Sequence, residues 1–474
     1  MVLATSLGGC RSVADKVSKE VEEVIGSKDS KDKDTKRPTP KKKEEEERHA
    51  EAGTDEAPLE AEEATPAQSY SREWVVSPSG SDEAAGSREN PFRTIRRAIE
   101  KAGPGEVIRV QAGQYAESVV IDGKARKGTK DAPITLLGEG EPKIVPGKSS
   151  GALLQVRRPY WIIEGFEIDV RGQSRFAAVF EGDTQGATLK RSHLHGGTLG
   201  GGITTYGQAH GVRIERNHIH DFHKPGGDDS HGIVIQATSR DIVIRGNDIH
   251  DTSGDAVQCL KPDSGSQAPA QDVVIERNKL HATGENAVDI KTCRDVVVRH
   301  NRMHDFKKSS SSAGEAVVVH YSAKNVRIED NEISKAGKGI AVGGVTDGAN
   351  PTDVVVSGNT IREITSSGGS DGAGIRVENA SKVKVEGNTI EDTDGYGMML
   401  GLGANGAPSS DLTVKDNVVR TEKLVRLGKK RPGLRMESNR YAPGGLFKAE
   451  PKETRDFSQW KEMTGVDKDS SVEH

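Results

Sequence analysis

Asp289 and Lys291 stand two positions apart in Gly284-Glu285-Asn286-Ala287-Val288-Asp289-Ile290-Lys291, and His320 holds a comparable place in the next stretch of similar sequence. A carboxylate, an amine and an imidazole are groups that move protons, so the trio is the first candidate for catalysis, with Lys291 as base and His320 as proton donor. An amine acts as a base near neutrality only if its pKa is pulled well below about 10.4. Each unit of that shift needs about 1.4 kcal/mol from desolvation or from nearby cations. Arg294 and Lys261 are placed to help. Asp228 and Asp229, one stretch earlier, could join Asp255 as oxygen ligands of a weak hard-cation site, which makes calcium the cofactor to consider. Histidines recur at 195, 220, 250, 281 and 304, each three residues after a bend position. Stacked neutral imidazoles flanked by Asp221, Asp251 and Asp305 account for that column without a metal. Protonation below about pH 6.5 would then set like charges about 5 Å apart.

What positions these groups is an internal repeat. The segments VRIERNHIH, IVIRGNDIH, VVIERNKLH, VVVRHNRMH, VRIEDNEIS, VVVSGNTIR, VKVEGNTIE and LTVKDNVVR place Asn at 217, 247, 278, 301, 331, 359, 388 and 417, at intervals of 30, 31, 23, 30, 28, 29 and 29 residues. WIIEGFEID and ATLKRSHLH keep the register, with Phe166 and Ser192 at the Asn position. Each unit reads as an alternating strand, a bend, a short strand, a variable loop and a third strand of the form Gly-Ile-x-Val. Three strands per coil predict a parallel β-helix from about Trp74 to Asn417. Coils stack about 4.8 Å apart, so a bend Asn in each can bond to the next while tolerating a left-handed backbone. In the third strands Ile and Val point inward. The residues between and after them form outward columns: Thr204 and Tyr206, Val234 and Gln236, Gln258 and Leu260, Asp289 and Lys291, Val318 and His320, Ala341 and Gly343, Arg376 and Glu378. Tyr206, Gln236, Gln258, Lys261 and Arg376 are the expected substrate-binding residues on this face.

Ahead of the repeat, Asn90 as N-cap, Pro91 at the first helical position and Gly103 past the end bracket a short helix. Its face of Phe92, Ile95, Ala98, Ile99 and Ala102 would cap the open end of the solenoid. Residues 11–72 are rich in Lys, Glu, Asp, Ala and Pro, too poor in apolar surface to order, and read as a disordered charged tether. Residues 73–420 are assigned to the β-helix and 421–474 to a C-terminal extension and cap.

The repeats resemble those of pectate-lyase-like right-handed β-helix proteins. The stretch VVSPSGSDEAAGSRENPFRTIRRAIEKAGPGEVIRVQAGQYAE is similar to the entry segment of family 9 polysaccharide lyases and their relatives, and FSQWKEMTGVDKDS to a closing segment of the same proteins. The resemblance implies β-elimination on a uronate polymer, in which a base removes the proton beside the carboxylate and the glycosidic oxygen leaves. It implies a catalytic Lys on an outward position such as Lys291, although the family 9 register lands on Asp289. Around Ser253-Gly254-Asp255-Ala256-Val257-Gln258 that family carries three Asp where this chain keeps only Asp255, a departure that weakens the calcium expectation.

Ser6-Leu7-Gly8-Gly9-Cys10 behind a short apolar run resembles the lipobox of bacterial lipoproteins, so residues 1–10 read as a signal remnant and Cys10 as the lipidated residue. An extracytoplasmic protein follows, at the cell surface or as an outer-membrane lipoprotein, attached to membrane only by lipid. Three cysteines are too few for a disulfide framework. A formal net charge of -5 and no nucleic-acid signature exclude nucleic acid as a partner. Aromatics at 4% argue against a neutral or crystalline polymer, which needs stacking platforms, and leave an acidic polysaccharide bound by a monomer. The alternative is a non-catalytic glycan-binding or envelope protein. A polygalacturonase-like hydrolase would have to recruit Asp228, Asp229, Asp255 and Asp289 without that family's motifs, and an alginate C-5 epimerase would need an Asp-Pro-His-Asp motif that is missing.

Overall fold

Each repeat unit buries only a few inward apolar residues, such as Val212 and Ile214 in His210–Glu215 and Ile219 in His218–His220, and cannot close a core alone, so the units must stack. A computed structural model describes residues 69–306, 309, 312–344, 349–366, 370–402 and 408–473. Cys10 and nearly all of the tether lie outside the described residues. The chain forms a right-handed parallel β-solenoid, with three sheets of 14 strands each among the described residues. In every coil an entry-sheet strand such as His210–Glu215 leads through a bend to a short strand such as His218–His220, and a loop then leads to a groove-sheet strand such as His231–Ile235. Equivalent strands pair in parallel with no slip from coil to coil along the repeat, as in Ile233↔Val257 and Val257↔Val288. The interior is a single apolar cluster of β-branched and aliphatic side chains running from Trp74 to Trp460.

The bend asparagines form the expected buried ladder. Asn301 donates from its backbone N and its Nδ2 to Oδ1 of Asn331, both at 3.0 Å, and Asn331 donates from Nδ2 to the Val298 carbonyl at 2.9 Å. The left-handed residue is the one before each Asn: Asp330 has φ 53° and Asp416 φ 58°. The Asn is thus chosen for its amide and its predecessor takes the turn. The ladder runs one coil beyond the expected set, to Asn439, and Ser192 starts it by accepting from Phe166 N at 3.3 Å. Coil pairing likewise continues past Arg420, through Lys423–Leu427 to Leu446–Ala449.

The entry helix differs from expectation. α1 spans Ile95–Lys101, its N-cap is Thr94, and Asp82 and Glu117 accept from the N–H groups of residues 93 to 96. Asn90 and Pro91 stay outside it because Phe92 is drawn into a bridge with Val76 and buried in the core. α1 also follows the edge strand Arg72–Val76, which pairs with Glu106–Gln111, rather than preceding it. At the other end α2 (Phe457–Thr464) seats Trp460 on Phe447, and the buried Asp467 accepts from Trp460 Nε1 at 2.9 Å and Tyr441 Oη at 2.7 Å.

Cys259 and Cys293, both fully buried, form a disulfide across neighbouring coils that the cysteine count did not suggest. They are 34 residues apart. Replacing both with Ala is expected to lower stability by about 3–4 kcal/mol, the loop-closure cost for such a span. A denaturant midpoint should fall in the variant, and a reductant should lower the parent's midpoint but not the variant's.

Candidate functional site

The groove sheet sets a register in which Thr204, Val234, Gln258, Asp289, Val318, Ala341 and Arg376 are successive partners, as the alternation of the third strands predicts. Two residues on, Lys291 and His320 follow in adjacent coils, their N–H groups bonded to the carbonyls of Cys259 and Ile290 at 3.1 and 2.9 Å. The structure therefore joins the expected trio. His320 Nε2 lies 2.6 Å from Asp289 Oδ1, and Lys291 Nζ lies 3.7 Å from Asp289 Oδ2. All three line an open groove of about 410 Å³ together with Arg376, Tyr321 and Glu315.

Burial opposes the charge on Asp289, but His320 and Lys291 outweigh it and hold the carboxyl down at about 2. Burial also opposes the charge on Lys291, and there Asp289, Asp255 and Glu285 prevail, so its pKa is raised. The expected depressed lysine base is thus corrected: its neighbours are carboxylates and the cations meant to discharge it lie elsewhere. Arg294 opens the strand Arg294–Arg299 of the entry sheet, exposed and around the corner from the groove. Lys261 lies in an adjoining cavity of about 440 Å³ with Tyr206 and Gln236, its Nζ 5.1 Å from the Tyr321 ring that edges the first groove.

Of the other expected substrate residues, Gln236 is buried and donates to Thr204 Oγ1 at 3.2 Å. Gln258 is buried and donates to Asp255 Oδ2 at 3.0 Å, while its Oε1 has no protein partner. Arg376 reaches the groove but is held by Glu378 at 2.6 Å and by Asp371. Sequence reading missed Glu315 and Lys338, which face each other in register and pair at 3.0 Å. They belong to a further column, two residues ahead of the inward Ile or Val, that runs through His231, Asp255, Asn286, Glu315 and Lys338. Polar residues at the head of otherwise apolar strands were the signal.

The three expected calcium ligands lie in different settings. Asp255 is fully buried, and its oxygens accept from Asn286 N and Nδ2 at 3.1 and 2.7 Å and from Gln258, with His231 Nδ1 3.1 Å away. Asp228 is an exposed loop residue 3.5 Å from Lys224 Nζ, while Asp229 lines the groove. Oxygens already engaged by N–H donors do not fit a hard cation, which needs six to eight oxygen ligands. His231, Asp255 and Glu285 do converge, but they are a buried mixed set.

The histidine column is present, with ring centroids 5.0 Å apart between His220 and His250, 4.7 Å between His250 and His281 and 4.9 Å between His281 and His304. A second column, His193 and His218, stands beside it and was not foreseen. Burial first, then the neighbouring imidazoles, lower His193 to about 4, which keeps that ring neutral near pH 7.

Several known proteins share parts of this chain. Over 75 residues it is 39% identical to the Uncharacterized protein YwoF of Bacillus subtilis, and over 74 residues 38% identical to Pectate lyase PEL9 of Emericella nidulans. Those stretches are 16% and 15% of this chain and cover only 15% and 18% of the two relatives' lengths. The PL6 family alginate lyase AlyGC superposes with a TM-score of 0.57 at 13% identity, over 85% of this chain and 53% of that enzyme, a likeness of fold. The model described as "Right handed beta helix region" matches residues 318–442. The model described as "Protein of unknown function (DUF1565)" matches residues 78–317, half of the chain's 474 residues. The chain is a pectate-lyase-like right-handed β-helix protein and belongs to the DUF1565 family.

Proposed function

We propose that this protein acts outside the cytoplasm on an acidic polysaccharide, cleaving uronate linkages by β-elimination. The observation that carries the reading is the joining of Asp289, Lys291 and His320 in one groove. An ionised Asp289 accepts the Nε2–H of His320, which leaves the lone pair on Nδ1 as the base. That nitrogen takes the proton beside the carboxylate, the electron pair forms the carbon–carbon double bond, and the glycosidic oxygen departs and is protonated by water. Lys291, kept charged by its acidic neighbours, pairs with the substrate carboxylate and stabilises the charge that develops there. Pectate lyase PEL9 and the alginate lyase AlyGC, whose names denote lyases of acidic polymers, support the substrate class. The buried disulfide supports an oxidising compartment, and Cys10 the lipid attachment proposed for a monomer at the cell surface.

A second reading, a non-catalytic glycan-binding surface protein, is favoured by one observation: Lys338, Arg376 and Lys291 each already pair with a groove carboxylate. The test incubates the full chain with pectate, alginate, chondroitin and heparin and follows ultraviolet absorbance from unsaturated uronate, with calcium and with chelator. Rising absorbance on one polymer is the expected result. Binding without absorbance on any of them would replace the lyase by the binding protein, and the calcium arm decides whether a cation is needed.

A further inference from the structure

A single column of stacked imidazoles offers one histidine per coil, and where it gathers three donors, at Asp248, His250 and His281, one of them is a carboxylate already bonded to His281 Nε2 at 2.9 Å. The short strands His193–His195 and His218–His220 are different, because each carries two outward histidines flanking one buried residue. Only in these two coils of the column do both outward positions hold His; further along, the partner position is Asp248, Lys279 or Arg302. Doubling the column turns ring edges toward each other. His193 Nε2 comes within 2.6 Å of His220 Nε2, and His218 Nε2 within 2.7 Å of His250 Nε2. Ligand nitrogens of His193, His218 and His220 all lie within 4.8 Å of one another.

The outer partners are those of a metal centre. His220 Nδ1 is 2.8 Å from Asp221 Oδ2, and His250 Nδ1 is 2.6 Å from Asp251 Oδ2. A carboxylate on Nδ1 fixes the tautomer, orients the ring and leaves Nε2 as a bare, more basic lone pair, the arrangement found behind metal-bound histidines. In this structure that lone pair can only accept a proton shared with the His193 ring. A divalent ion would take the proton's place once His193 carries its hydrogen on Nδ1 and the two rings, 2.6 Å apart at Nε2, part to the roughly 3.3 Å that two nitrogens on one tetrahedral ion require. Glu167, 3.1 Å from His195 Nε2, borders the cluster. Three nitrogen donors suit a borderline ion such as Zn²⁺ and not a hard one.

We propose that the histidine sheet carries a zinc-type metal site, separate from the groove, held by His193, His218 and His220 with Asp221 positioning His220. His218 is exposed, so the fourth coordination position faces solvent and is open to a water or to a donor group on another molecule.

The test titrates Zn²⁺ into chelator-treated full chain by calorimetry and, in parallel, records the visible spectrum with Co²⁺. One ion per chain and the intense absorption of four-coordinate Co²⁺ are expected. H193Q and H220Q should each weaken binding at least about 10-fold, and D221N by about 10–100-fold as for other outer partners. H304Q, on the single column and outside every such group of three donors among the described residues, should leave binding unchanged. Absence of binding by the parent, or an equal loss in H304Q and H193Q, would overturn the proposal. The parent's Co²⁺ spectrum needs no variant, so a pale six-coordinate spectrum overturns it even if the substituted chains fail to fold.

Discussion

Replacing His320 with Ala should lower the rate of elimination by about 10²–10⁴-fold, the usual worth of a positioned general base. The loss should appear in kcat. Lys291→Ala should instead raise KM as well as lower kcat, because the ammonium meets the substrate carboxylate before and during proton removal. Asp289→Asn separates the two roles of the carboxylate. The amide still fits between His320 and Lys291, but it no longer carries the charge that holds the imidazole proton on Nε2. Its rate should fall nearly as far as that of His320→Ala, with binding of the polymer retained. Because Asp289 is held at about 2, it stays ionised through any acidity at which activity is measured, and the acid limb of the pH profile should belong to another group. A His320→Ala protein that cleaves as fast as the parent would remove the imidazole from the mechanism.

Much of the fold can be read in the sequence because a solenoid repeats its local instructions. Alternation in VVIERNKLH fixes which face is buried, and the recurring Asn fixes the coil length. The outward register Gln258, Asp289, Val318 follows from those two facts alone. The entry helix was misplaced because its sequence held two competing start signals. Asn90-Pro91 has ideal capping chemistry, yet the core's demand for Phe92 pulls that stretch into an extended bridge and moves the start to Thr94. The cysteine pair was unreadable because 259 and 293 become neighbours only once coils with loops of unequal length are stacked.

The site is less legible than the fold. Register brings Asp289, Lys291 and His320 together, but the charge state of Lys291 depends on Asp255 and Glu285, which arrive from other strands and loops. Arg294 is expected to help discharge Lys291, while a turn of the chain carries it to another sheet. Asp255 is expected to join Asp228 and Asp229 as an oxygen ligand of a weak hard-cation site. Its neighbours Asn286 and Gln258 use it as an acceptor instead. The second histidine column was overlooked because a column sampled once per coil hides the residue two positions earlier.

Replacing Asn331 with Ala should destabilise the middle of the solenoid by about 2–4 kcal/mol. Three buried groups lose a bond at once: Asn301 N loses its acceptor Asn331 Oδ1, Asn301 Nδ2 loses the same acceptor but keeps the Ile275 carbonyl at 2.9 Å, and the Val298 carbonyl no longer accepts from Asn331 Nδ2. Each group left without a partner away from water costs about 1–3 kcal/mol, while the side-chain cavity itself is small. Asn359 Oδ1 still accepts from the backbone N of residue 331, so the damage is directed toward the preceding coil. Asn331→Ser should recover part of the loss, because Ser192 already fills the ladder position and offers its hydroxyl to Phe166 N. Coils in a repeat protein depend mainly on their neighbours, so hydrogen exchange should quicken most around residues 298–301 and much less near either end. A denaturant midpoint shifted by less than about 0.5 kcal/mol equivalent, within the range of ordinary surface substitutions, would show that the asparagines decorate the bends and do not hold the coils together.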